Sequence, residues 1–144
     1  GILRHMAKLT LDFEPEFDFL LIGISCHLKD YRFVWNLNQH LNYQLKREDD
    51  LSMIVDKLKT KSLFSIFSYE DEENHIHYSL IANRGDAGIL IPELKTVDYL
   101  LQIRGPLEDE ELEQEVERLK NVPNVLTAFS IDPTTLKSGA SLLI

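Results

Sequence analysis

Apolar residues recur along this chain with two different periods, and the switches between them mark its elements. Residues 17–26, FDFLLIGISC, are apolar on both phases: Phe19 and Leu21 on one, Leu20, Ile22 and Ile24 on the other. That pattern predicts a strand covered on both sides. Residues 28–42, LKDYRFVWNLNQHLN, then take up helical spacing. Phe33, Val34, Leu37 and Leu41 share a face, Leu28, Tyr31 and Trp35 widen it, and Lys29, Arg32, Asn36 and Gln39 lie opposite. So wide an arc predicts deep burial against a sheet, with Tyr31 and Trp35 in core or interface packing. Ser25 and Asp30 both stand where a cap for this helix is needed.

Alternation of period two returns at residues 51–57, read as a strand. Residues 62–69 and 75–82 flank the polar EDEEN and predict a hairpin, with Ile76, Tyr78 and Leu80 facing inward. Residues 97–104 alternate well, with Val97, Tyr99, Leu101 and Ile103 on one face and Asp98, Gln102 and Arg104 on the other. Gly105-Pro106 ends that strand. Residues 107–120 form a second helix on the narrow stripe Leu112, Val116 and Leu119, with acids in its first turn and Arg118 and Lys120 in its last, as the helix dipole favours. Residues 125–131 return as a strand. Residues 7–13 suggest a short edge strand, broken by Pro15. The apolar end SLLI is expected to dock.

Two β-α-β units emerge, residues 17–57 and 97–131, around a central hairpin. They predict an α+β two-layer sandwich: a mainly antiparallel or mixed sheet with both helices on one face, ferredoxin-like in spirit. Such an analogy carries no function with it.

At 144 residues the chain suits one domain, residues 6–144, after a leader, GILRH, that looks like an expression remnant ahead of Met6. The net charge of −9 removes the usual electrostatic basis for nucleic-acid binding. A lone Cys26 permits no intramolecular disulfide. No apolar run reaches the roughly 18 residues of a membrane span. With no secretory pattern after Met6, the chain reads as cytoplasmic, with no nucleic-acid or membrane partner expected.

Few residues recommend themselves for chemistry. His75 and His77 share one strand face beside an acidic turn, but no third metal ligand is fixed by spacing, so no metal is expected. Cys26 and His27 are adjacent on a strand and point apart, which spoils them as nucleophile and base. NRGDAG lacks the Lys-Ser/Thr of a phosphate loop, and Asn83, Gly85 and Gly88 are read there as positions that permit positive φ. The acidic run of residues 108–117 is a solvated helix face. Glu93 and Asp98, with Arg84 near in sequence, remain as a ligand-site candidate. Their architectural reading is stronger: Glu93 pairing in the turn after Pro92, and Asp98 pairing with Arg104 or Lys95.

The spelling Ile91-Pro92-Glu93, three residues, then Val97-Asp98-Tyr99 resembles the signature of the bacterial IPExxxVDY family, and the order of segments is similar over most of residues 7–144. The resemblance implies no particular activity and no cofactor. The expectation is therefore a small non-enzymatic protein acting by association with a partner or with itself as a homodimer. The alternative is a small-ligand-binding or enzymatic protein with its site at the 83–98 connector.

Overall fold

The computed structural model describes residues 18–55 and 59–142. The elements run β1 (Leu20–Cys26), α1 (Asp30–Leu41), β2 (Lys46–Arg47), β3 (Leu51–Ile54), β4 (Lys61–Phe64), β5 (Ile66–Asp71), β6 (Ile76–Ala82), β7 (Tyr99–Arg104), α2 (Asp109–Lys120) and β8 (Val125–Ile131). Two short 3-10 turns, Pro133–Thr135 and Gly139–Leu142, follow. The strand expected over residues 7–13 and the leader lie outside the described residues.

Six strands form one antiparallel sheet in the order β2-β5-β6-β7-β1-β8, and β3 and β4 pair separately as a ribbon. This is the expected α+β architecture, with both helices on one face. β7 and β8 run parallel on either side of β1, and α2 connects them. β1 and β6 likewise flank β7. The first β-α-β unit differs from its expected form. The chain leaving α1 makes β2 at the far sheet edge instead of pairing 51–57 beside β1. The run 62–69 is also divided at Ser65: β4 joins the ribbon and β5 the sheet. Continuous apolar character could not reveal that break.

The helical face buries Ile22, Ile24, Tyr78, Leu80, Leu101 and Ile103 against Phe33, Leu37 and Leu41 of α1 and Val116 and Leu119 of α2. The other face is covered too. Leu21, Ile81 and Leu100 lie beneath Phe64 of the ribbon, Leu90, Ile91 and Val97 of the 83–98 connector, and Leu142 of the docked tail. Gln102 therefore is buried, and its Nε2 donates to the Leu142 carbonyl at 2.7 Å. Full burial of each such Leu or Ile contributes about 1.5–3 kcal/mol, so both layers matter to stability.

α1 is rotated from its expected setting. Asn36 is buried and donates to the Pro123 carbonyl at 3.1 Å, while Tyr31 and Trp35 stand 65% and 59% exposed. One polar residue able to find a backbone acceptor replaced two large aromatics at the buried flank. Neither expected cap is used. Ser25 donates to the Thr96 carbonyl at 2.5 Å, and Asp30 accepts from the adjoining Tyr31 N–H at 2.7 Å. In α2, Glu111 Oε1 accepts from the Glu108 N–H at 3.1 Å, which satisfies one free donor near the helix start.

Candidate functional site

The 83–98 connector is a compact joint held by Asn83, which has no exposed surface. Its Oδ1 accepts from the Ile91 N–H at 2.8 Å, and its Nδ2 donates to the carbonyls of Leu94 at 3.1 Å and Val97 at 2.9 Å. Its own N–H donates to the Asp98 carbonyl at 2.9 Å, and its carbonyl accepts from Leu90 N–H at 2.8 Å. One amide thus closes the loop that Pro92 turns, and buried polar groups left unmade would be costly. Reading Asn83 only as a turn residue missed this; its signal was an amide directly following the apolar run of β6.

None of Asn83, Gly85 and Gly88 adopts the positive φ expected of them; Gly105, at φ 138°, is the glycine that does so among the described residues. The connector glycines serve close packing. A Cβ on Gly85 would lie 2.6 Å from the Leu63 carbonyl oxygen and 2.8 Å from Phe64 Cε1, and one on Gly88 would lie 2.6 Å from Val55 Cγ2. Asp86 then binds the ribbon through the Leu63 N–H at 2.8 Å and the Ser62 hydroxyl at 3.2 Å, and chiefly the Leu63 bond holds its carboxyl below the usual range.

Arg84 and Asp98 come together, and Glu93 is engaged elsewhere. Arg84 Nε donates to Asp98 Oδ1 at 2.9 Å and its Nη2 to the Lys95 carbonyl at 2.5 Å. Asp98 Oδ2 accepts from the Cys26 N–H at 2.8 Å, which ties the joint to the end of β1. Arg104, an expected partner of Asp98, lies at the other end of β7, beside the Phe19 ring. Glu93 Oε2 accepts from the Ser138 N–H at 2.8 Å. Burial pushes the Glu93 pKa up, but this bond and others from the same segment outweigh it and leave the carboxyl below its ordinary value. The two acids therefore fasten two different segments.

Beside Arg84 and Asp98 lies a hollow of about 340 Å³, lined also by Cys26, His27, Lys29 and Tyr99. Burial pushes the Cys26 thiol up, which makes it a poor nucleophile at neutral pH. Both oxygens of Asp98 already accept hydrogen bonds. The acid beside the hollow is thus occupied by structural bonds, and the thiol is buried.

The remaining sequence candidates separate. His75 sits in the hairpin turn at φ 57°, one residue ahead of β6, and so does not share a strand face with His77. His77 Nδ1 lies 3.3 Å from Glu70 Oε2. Among the described residues no three His, Cys, Asp or Glu side chains converge as a metal site. Sequence reasoning also missed a polar cluster under α2. Tyr43 donates its hydroxyl to Glu115 Oε2, Arg118 pairs with Glu115 Oε1, and the Tyr69 and Tyr78 rings stack at 4.6 Å. Burial, then the Glu115 charge, pushes the Tyr43 and Tyr78 phenols up, so both stay protonated at neutral pH. A glutamate beside Val116 and four before Leu119, on the apolar flank of α2, was the available signal.

No known protein-family profile and no curated protein matches this chain. No helix among the described residues is long and apolar enough to cross a membrane.

Proposed function

We propose that this is a non-enzymatic protein of the cytoplasm that acts by association, with itself or with another protein. The observation that carries this reading is the placement of its exposed large apolar side chains. Tyr31 and Trp35 on α1, and Leu126 and Phe129 on β8, remain in solvent, as do Ile54 and Leu63 of the ribbon. Phe129 and Ile131 share the sheet face away from α1, so the exposed residues of α1 and Phe129 form separate areas. Polar groups at the connector are, by contrast, engaged internally. The order β8-β1-β7-β6, with helices crossing on one face, supports a ferredoxin-like assignment extended by β5 and β2. The spelling from Ile91 to Tyr99 supports membership of the IPExxxVDY family, whose acids would then serve architecture.

Mass action supplies the test, because a self-associating protein melts at a higher temperature when more concentrated. The melting temperature is expected to rise measurably between 1 and 100 μM protein, as order-of-magnitude bounds (~1 and ~100 μM). A constant value would overturn self-association. The hollow beside Arg84 favours one rival reading, a small-ligand site. That reading requires a melting temperature raised by small anions or metabolites and no longer raised in Arg84→Ala.

A further inference from the structure

The chemistry of a partner follows from α1, on the footing that the protein works by association. Tyr31 and Trp35 stand one turn apart on this helix, and so do Arg32 and Asn36 beside them. Residues four apart on a helix are neighbours on its surface. The four side chains therefore make two parallel rows, one aromatic and one polar, and together they line a hollow of about 330 Å³.

The polar row is unlike the rest of the surface. Arg47, Arg84 and Arg118 each pair with a carboxylate, but the exposed Arg32 has none within ion-pair distance among the described residues. Lys29, three residues ahead of it, is also exposed and without an ion pair among the described residues. The one acid of α1, Asp30, is taken by Arg47 at 3.4 Å. In a chain of net charge −9, this face carries positive charge that nothing nearby offsets. Asn36 adds an acceptor. It is 8% exposed, its Nδ2 donates to the Pro123 carbonyl at 3.1 Å, and its Oδ1 accepts from no donor among the described residues.

An occupant of the hollow thus needs an apolar side chain for the aromatic row, a carboxylate for Arg32 and an N–H for Asn36. An acidic stretch of polypeptide supplies all three. Trp, Tyr and Arg are also the residues in which binding energy is most often concentrated. A nucleic-acid strand would want basic side chains spaced along its backbone. At physiological salt the Debye length is about 8 Å, so a docking segment responds to this local charge more than to the net charge of the chain. We propose that the α1 hollow docks an acidic segment of a partner protein, with an apolar side chain of that segment against Tyr31 and Trp35 and a neighbouring carboxylate on Arg32. Four residues are a fraction of the roughly 20–30 a side in a standard interface, so the contact is expected to be weak and reversible.

Selection from a displayed library of random peptides, with the full chain as bait, tests this. The peptides retained should be net acidic and should carry an apolar side chain beside a carboxylate. A synthetic copy of one should bind Trp35→Ala about tenfold more weakly or worse, and should bind wild type more weakly as salt is raised. Arg32→Glu should lose that peptide and gain the version in which its acids are replaced by lysine. Both side chains are exposed, so circular dichroism should show both variants folded. A library that yields no binder, peptides with no excess of acids, or peptides held equally by wild type and both variants would overturn the α1 site. A melting temperature that rises with protein concentration would in that case still uphold association. Sedimentation in which wild type dimerises and Trp35→Ala does not would give the hollow to a second copy and overturn the acidic segment. A single-stranded oligonucleotide bound by wild type and lost in Trp35→Ala would overturn it too.

Discussion

The 83–98 connector and the β8 edge are opposites. At the connector nearly every polar group is directed inward: Asn83 ties Ile91, Leu94 and Val97, Asp98 ties Arg84 and Cys26, and Glu93 ties Ser138. Along β8 the side chains of Leu126 and Phe129 have no such cover. The stretch with the most conspicuous spelling proves to be a joint, and a plain run, VLTAFSI, carries two of the exposed large apolar side chains. Conspicuous residues follow from exacting geometry as readily as from chemistry, because a buried turn must satisfy every amide it encloses.

Substitutions should separate the two regions by the kind of effect they have. The largest is expected at Asn83. Asn83→Ala leaves the Ile91 N–H and the Leu94 and Val97 carbonyls without their buried partner, and the loss should be about 3 kcal/mol. A lowered urea midpoint with an unchanged slope would show it, and a loss below about 1 kcal/mol would break the picture of Asn83 as the clasp.

A smaller and pH-dependent effect belongs to Glu93. Its folded pKa lies below the ordinary 4.5, so its contribution is present above that value and is lost as pH falls through the folded pKa. Solvent screening keeps it under about 1 kcal/mol. Amide protection at Ser138 should fall selectively as pH drops through the lowered pKa of Glu93, and in Glu93→Gln that acid step should be absent. Equal behaviour of the two proteins would detach Glu93 from the tail.

The smallest effect on folding is expected at the edge. Leu126→Ser removes a side chain that is 64% exposed, and monomer stability should stay within about 0.5 kcal/mol of wild type. A large loss in dilute protein would show that β8 is covered within its own chain, and the contrast between the regions would fail.

Much of the fold was legible from periodicity alone. The second helix, the strand at 125–131 and the double-sided burial of β1 all follow from apolar spacing, since 3.6-residue and two-residue periods place side chains on definite faces. The rotation of α1 was not legible. Tyr31 and Trp35 fit the wide apolar arc on paper, yet burying Asn36 gave its amide the Pro123 carbonyl as acceptor, an element 87 residues away. At the site, the pairing of Arg84 with Asp98 joins groups 14 residues apart, and the bond from Glu93 to Ser138 spans 45. Neither distance leaves a trace in local pattern.

By itself the sequence determined the α+β class, the two helices and the double-sided burial of the central strand, because each depends on side-chain type and spacing. Only the tertiary structure decided which strand is last in the sheet, which way α1 faces, and what the connector's acids touch. Those depend on contacts between residues far apart in the chain, where the free energy of a buried hydrogen bond or a covered face selects one arrangement among several that local patterning permits.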